Sequence, residues 1–314
     1  MLDSVVVGVV DVLKRSVGLT SRTAAAHVVE TLTHTCPEPL EKHAGKILTA
    51  LVNGLNDRNA TLRKCFANAI GTVVKVAKPS SVEKLLNKLQ TWYLEKEEDS
   101  VRMSAGITLR SMHRQSGDIM RAHACLALPL AFLAMHARKT PQEDLTGAEV
   151  WEEIWMDNTP GTEAGVKVYL KEIMEVCEKA VLSNNWSMKS QSGRALSTLS
   201  QKVGTNLSLE QTSTLVNLLM NTMQGRTWDG KECLTLALSD VAVNTKSNLS
   251  KLAVKVNELL INEVVKVLIR EASKEKKEYK IHAIKALTVV LEEFKLDKFE
   301  VVFDICSPFI ILVS

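Results

Sequence analysis

At 314 residues the chain suggests about two domains on length alone, while Gly 14 and Pro 7, together about half of ordinary usage, argue against turn-rich all-β folds and collagen-like or disordered chains. Hydrophobic residues make up 46% and aromatics only 4%, so the core is drawn mainly from Leu, Val, Ile and Ala, the palette of packed helices. Lys plus Arg number 39 against 36 Asp plus Glu, interspersed to a net charge of +3, which leaves no global electrostatic case for nucleic acid or a membrane surface.

In chain order, Leu2 to Leu13 is apolar but broken by Asp3 and Asp11, with no basic residue ahead of it. It reads as half of a helical hairpin rather than a signal sequence. A recurring element follows: a polar turn, a basic residue, a small residue, and an aliphatic one three positions later inside an amphipathic helix. Arg22 with Ala25 and Val28 is the first instance. Leu40 to Leu55 then places Ile47, Leu48, Leu51 and Leu55 on one helical face. The turn Asn56 to Asn59 supplies Asn and Asp to cap the next helix, which carries Lys64, Ala67 and Ile70. Ser80 to Leu94, a turn at Glu95 to Asp99, and Ser100 to Gln115 with Arg102, Gly106 and Leu109 form the next pair.

Ala122 to Ala137 lacks Asp, Glu, Lys and Arg over 16 residues. That is short of the roughly 18–20 needed to cross a bilayer, so a buried helix is expected and no membrane insertion. The stretch 138–162 carries Pro141, Gly147, Pro160 and Gly161 around a short Trp151-to-Trp155 turn and reads as an irregular connection holding a degenerate second helix. Further pairs are Gly165 to Leu182 with Ser187 to Lys202, Leu209 to Met223 with Trp228 to Asn244, and Val254 to Ala272 with Lys276 to Phe294. Their recurring elements are Lys189 with Gly193 and Leu196, a weaker Lys231 with Thr235 and Leu238, and Lys280 with Ile284 and Leu287. Residues 244–251 are a polar insertion.

The small positions 25, 67, 106, 193, 235 and 284 are separated by steps of 42, 39, 87, 42 and 49. The long step is two units with one degenerate copy inside it. A period of roughly 40–47 residues is that of HEAT or armadillo repeats. The fold class is therefore all-α, an α-solenoid of about seven HEAT/armadillo-like hairpins, with residues 1–314 as one continuous segment. Small residues let helices approach closely, and the aliphatic residue one turn on fills the groove between them.

Chemistry has few carriers. Gly225 to Glu232, G-R-T-W-D-G-K-E, fits the first seven positions of a phosphate-binding loop. It lacks the strand before it and the Ser or Thr after Lys231, and is expected to be an inter-helix turn. The seven histidines, His27, His34, His43, His113, His123, His136 and His282, show no metal-ligand spacing. The six cysteines, Cys36, Cys65, Cys125, Cys177, Cys233 and Cys306, include no C-x-x-C pair and read as buried thiols of a reducing compartment. Lys274 to Lys280 mixes both signs, as a solvated turn does. No catalytic, cofactor-binding or metal site is assigned, and no cofactor. Trp151 and Trp155, four apart and so on one helical face, are either core anchors or an exposed docking patch, and are the candidate binding residues.

The strings G-L-T-S-R-T-A-A-A (Gly18 to Ala26), G-L-N-D-R-N (Gly54 to Asn59), S-S-V-E-K-L-L-N-K-L (Ser80 to Leu89), W-Y-L-E-K-E-E (Trp92 to Glu98), L-P-L-A-F-L-A-M-H (Leu128 to His136), N-T-P-G-T (Asn158 to Thr162) and Gly225 to Glu232 together resemble the proteasome adaptor and scaffold family, large HEAT-repeat proteins. The resemblance runs from about Gly18 to Leu291 and points to the family's C-terminal portion; residues 244 to 257 match least well. It implies a non-enzymatic scaffold, cytoplasmic and nuclear, that binds the proteasome core and regulatory particles. It also implies a fragment of a longer chain, since family members are much longer. Solenoid architecture alone would equally suit a transport or trafficking adaptor of importin or coat type.

Overall fold

The computed structural model describes residues 2–138, 147–255 and 258–310. The chain divides into two compact units, Met1–Pro160 and Gly161–Ser314. The first unit contains α1 (Leu2–Arg15), α2 (Leu19–Thr35), α3 (Pro37–Gly54), α4 (Ala60–Val73), α5 (Pro79–Glu95), α6 (Asp99–Gln115), α7 (Gly117–Ala122), α8 (Ala124–Ala134) and α9 (Gly147–Asn158). The second contains α10 (Thr162–Val168), α11 (Leu170–Leu182), α12 (Trp186–Val203), α13 (Leu209–Thr222), α14 (Glu232–Asn244), α15 (Lys246–Leu249), α16 (Leu260–Ala272), α17 (Lys277–Phe294) and α18 (Phe299–Ile310). Between α15 and α16 lies an antiparallel hairpin of β1 (Ala253–Lys255) and β2 (Glu258–Leu259).

The helices pair as an all-α solenoid. In the first unit the hairpins are α1/α2, α3/α4, α5/α6 and α8/α9, and the second helices stack in the order α2, α4, α6, α9. In the second unit they are α11/α12, α13/α14 and α16/α17, with α12, α14 and α17 stacked in turn. Among the described residues this gives seven hairpins. Helix starts follow local chemistry: the Asn59 and Asn185 side chains accept from the backbone N–H of Leu62 and Met188, capping α4 and α12. Ser208 and Gln211 form a reciprocal capping box at α13.

The apolar stripe read on α3 is in the core, with Ile47, Leu48, Leu51 and Leu55 between 0% and 4% exposed. The recurring small and aliphatic residues are likewise core in most copies, including Ala67 with Ile70 and Thr235 with Leu238. The first copy is displaced by one residue: Ala26 and Val29 are fully buried while Val28 is 40% exposed. In α17, Ala283 takes the inward place expected for Ile284.

Close approach is real where glycine occupies the crossing. A Cβ on Gly71 would lie 2.7 Å from the Ser111 carbonyl oxygen, and one on Gly193 would lie 2.8 Å from that of Cys233. Beside these contacts runs a polar ladder between successive second helices. Ser111 donates to Asn68 at 2.9 Å and Ser116 to the Gly71 carbonyl at 2.6 Å, partners 43 and 45 residues apart. Ser190 donates to the Gly230 carbonyl and Ser239 to that of Ala286, 40 and 47 apart. The sequence period thus reappears as hydrogen bonds.

Several expected elements change, among them the single helix read over Gly165 to Leu182, which breaks at Tyr169 between α10 and α11. Within 138–162, residues 147–158 form a three-turn helix, α9, rather than a short turn, and it packs on both α6 and α8; residues 139–146 lie outside the described ones. Val254 and Lys255 lie in β1 and Glu258 and Leu259 in β2, so α16 starts only at Leu260. The helix expected from Trp228 begins at Glu232, because Gly230 sits at φ 102, a left-handed conformation that interrupts an α-helix.

Candidate interaction surface

Trp151 and Trp155 lie on one face of α9, and that face points inward: they are 1% and 0% exposed. Trp151 packs where a Cβ on Gly106 would come within 2.9 Å of its ring, and its indole meets Tyr93 edge-on at 5.1 Å. Trp155 lies 5.1 Å from Phe132. The degenerate copy therefore reverses the size rule, with a large ring on α9 filling the space left by glycine on α6. Both residues are core anchors in this fold and are absent from its surface.

The surface carries a different aromatic pair. Trp186 and Trp228 have ring centroids 4.9 Å apart, Trp186 is 55% exposed, and the Lys189 amine sits 5.3 Å above its ring. Burial holds the Lys189 pKa below the usual lysine value. Trp186 opens α12 directly after its Asn185 cap, a position outside the helix's core stripe. Trp228 lies in the loop between Gly225 (φ 84) and Gly230 (φ 102). Neither was singled out from sequence; the available signal was that both aromatics sit at turns rather than in helix interiors.

That loop is fastened from below. The Lys231 amine is fully buried and donates to the carbonyls of Gly225 and Arg226, while pairing with Glu271 at 3.0 Å. Glu271, also fully buried, accepts from Tyr279 at 2.8 Å and from Arg270 at 3.0 Å, and Tyr279 meets Thr235 at 3.1 Å. Burial pushes the Lys231 pKa down and the Tyr279 pKa up. The amine that a phosphate loop would offer to an anion is thus enclosed by a carboxylate. Tyr279, inside the charge-rich run read as a solvated turn, is 3% exposed. Exposed Arg226 and half-buried Lys274, which donates to the Gly225 carbonyl at 3.2 Å, stand at the rim of this edge together with exposed Asp229, which pairs with Lys276.

Other titratable groups are dispersed. Among the described residues no group of three or more His, Cys, Asp or Glu is placed to hold a metal ion. His113 donates through Nδ1 to Asn158 at 3.0 Å, and burial lowers its pKa to about 4. Of the five cysteines whose burial is described, Cys177 is buried, Cys125 exposed and Cys36, Cys65 and Cys233 half-buried, which corrects the expectation of buried thiols throughout. No helix among the described residues is long and apolar enough to cross a membrane.

Residues 1–94 match the HEAT-repeat domain of the proteasome adapter and scaffold protein ECM29, and residues 247–311 match the ECM29 C-terminal ARM-like repeats, together half of the chain. The chain belongs to the ECM29 family. It is 35% identical over 304 residues to the Homo sapiens proteasome adapter and scaffold protein ECM29, covering 96% of this chain and 16% of that protein. The Drosophila melanogaster proteasome-associated protein ECM29 homolog is 29% identical, covering 97% and 15%. The Saccharomyces cerevisiae proteasome component ECM29 is 24% identical over 268 residues, covering 84% and 14%. The chain thus spans about a sixth of the length of the ECM29 relatives it matches. Among solved structures, a designed armadillo repeat protein superposes with a TM-score of 0.36 at 13% identity, covering 90% of this chain and 98% of that one. Kap121p bound to RanGTP gives 0.41 at 11% identity, covering 96% and 35%.

Proposed function

We propose that this chain is a scaffold segment of an ECM29-type protein that binds the proteasome and helps hold its core and regulatory particles together or link them to other factors. The observation that carries the reading is 35% identity, across nearly the whole chain, to a relative named as a proteasome adapter and scaffold. The architecture supports it, because stacked hairpins present long surfaces suited to many modest contacts. Its role is binding rather than catalysis, as the names of its relatives suggest. We place it in the cytoplasm and nucleus, a residence that imaging of the tagged parent protein would test.

The aromatic edge of Trp186 and Trp228, with Arg226 beside it, is the candidate contact. The test is sedimentation of the tagged chain with purified proteasomes at low and high salt. Co-migration at low salt, weakened about tenfold or more by Trp186→Ala with Arg226→Glu, is expected for an exposed Trp/Arg hot spot. A chain that stays at the top of the gradient, when the full-length parent does migrate with proteasomes, would move the contact elsewhere in the parent. Failure of the parent itself would sink the assignment.

A further inference from the structure

The first unit contains a groove that the family assignment does not explain. Whereas α1 lies directly against α3, α3 and α5 stand apart and leave a cavity of about 290 Å³ between them. Its floor is apolar: Leu48, Val52 and Leu85 are 4%, 4% and 5% exposed. One end closes where Gly45 faces Ser81, a Cβ on the glycine coming to 3.7 Å of the serine hydroxyl. The rim carries exposed Lys84 and Lys88, and the lining contains no carboxylate. Among the described residues neither lysine has a carboxylate partner; the Lys88 amine rests 5.1 Å above the Trp92 ring.

We propose that this α3–α5 groove is a docking site for an acidic amphipathic helix of a partner protein, whose aliphatic side chains enter over Leu48, Val52 and Leu85 while two of its carboxylates meet Lys84 and Lys88. Charge complementarity selects the occupant. The lysines are four apart on α5, so they stand one turn, about 6 Å, from each other along the helix. Two carboxylates at i and i+4 of a docked helix match that spacing. A single-headed amphiphile such as a fatty acid would satisfy one lysine and leave the other unmatched. The α3 lining from Gly45 to Val52 spans about two helical turns, the reach of anchors at i, i+3 and i+7. A polyanion without apolar side chains would leave that floor uncovered.

The test uses the full chain and a fluorescein-labelled helical probe peptide with Leu at i, i+3 and i+7 and Glu facing the lysines, against the same peptide with Lys in place of Glu. Anisotropy is expected to show the acidic probe binding about tenfold or more tighter, with the difference shrinking at high salt. K84E/K88E should invert the preference between the probes. Thr49→Trp, an exposed rim change that fills the groove, should abolish binding of both; circular dichroism checks that each variant keeps its helices. Equal binding of the two probes, or acidic-probe binding that survives Thr49→Trp, overturns the proposal. So does binding of phosphatidylserine vesicles or single-stranded RNA that outcompetes the probe and is lost in K84E/K88E, since the groove would then serve a lipid or a nucleic acid.

Discussion

At the scale of single residues, the Lys231–Glu271 pair shows how a fold can hold full charges away from water. Removing Lys231 takes the buried counter-charge from Glu271, which keeps only Arg270 at its half-exposed edge and the Tyr279 hydroxyl, and breaking comparable buried pairs costs up to about 3–5 kcal/mol. Lys231→Met is therefore expected to lower urea-unfolding stability by that order. The double variant Lys231→Met/Glu271→Leu should recover most of the loss, because an apolar pair of similar volume removes both desolvation penalties. A double variant no better than the single one would show that the loop contacts of the amine, not the pair, carry its contribution.

His113 gives a pH dependence of definite sign. Its folded pKa is lowered to about 4, chiefly by burial, from an ordinary value of 6.5. Between those values the unfolded chain binds a proton that the folded one does not. Stability is thus unaffected above about pH 6.5, falls as the pH drops, and the loss is complete below about pH 4, reaching ~3 kcal/mol. Nδ1 donates to Asn158, so Nε2 is the site that would have to accept the proton, and it is buried without a partner among the described residues. His113→Gln should flatten this acid limb in urea titrations at pH 4.5 and 7; an unchanged slope would remove His113 as its source.

At the scale of helices, glycine at a crossing and glycine in the open have opposite consequences. Gly193→Val places atoms where the Cys233 carbonyl already lies and is expected to cost about 1–3 kcal/mol by overpacking. Gly8→Ala in α1 meets nothing within 4 Å and should be neutral or stabilising by up to about 1 kcal/mol, since alanine is the better helix former. Thermal unfolding of the two variants separates the cases. The same scale explains what was legible in the sequence. Regular pairs such as α3/α4 and α5/α6 announce themselves because a 3.6-residue stripe is a strong and local signal. The degenerate hairpin did not, because its compensation lies in another helix: Trp151 on α9 is explained only by Gly106 on α6. The β-hairpin was hidden for a related reason, since no Gly or Pro separates Val254 from the helix that becomes α16. The candidate surface was the least legible part. A tryptophan in a helix interior and one at a turn look alike in composition, and only burial separates Trp155 from Trp186.

At the scale of the whole molecule, each unit is a one-dimensional stack in which a hairpin touches mainly its neighbours. Damage should spread accordingly. In the Lys231→Met variant, hydrogen exchange is expected to accelerate first in α14, α16 and α17, the helices joined by Lys231, Glu271 and Tyr279, and least in α11. Uniform acceleration across residues 161–310 would instead indicate one all-or-none unit. The proposed proteasome contact belongs to this scale too, because many weak contacts along a stack add up only while the hairpins keep their order.

The unequal spacing of the two helical layers in the first unit has a mechanical consequence. The layer of α2, α4, α6 and α9 is stitched by side-chain hydrogen bonds and glycine-tight crossings, so it resists extension like a tape. Between α3 and α5 the other layer has slack. A load on this unit would be expected to bend it about the taut layer, widening or narrowing the α3–α5 gap. A helix wedged in that gap, as proposed, would stiffen the spring.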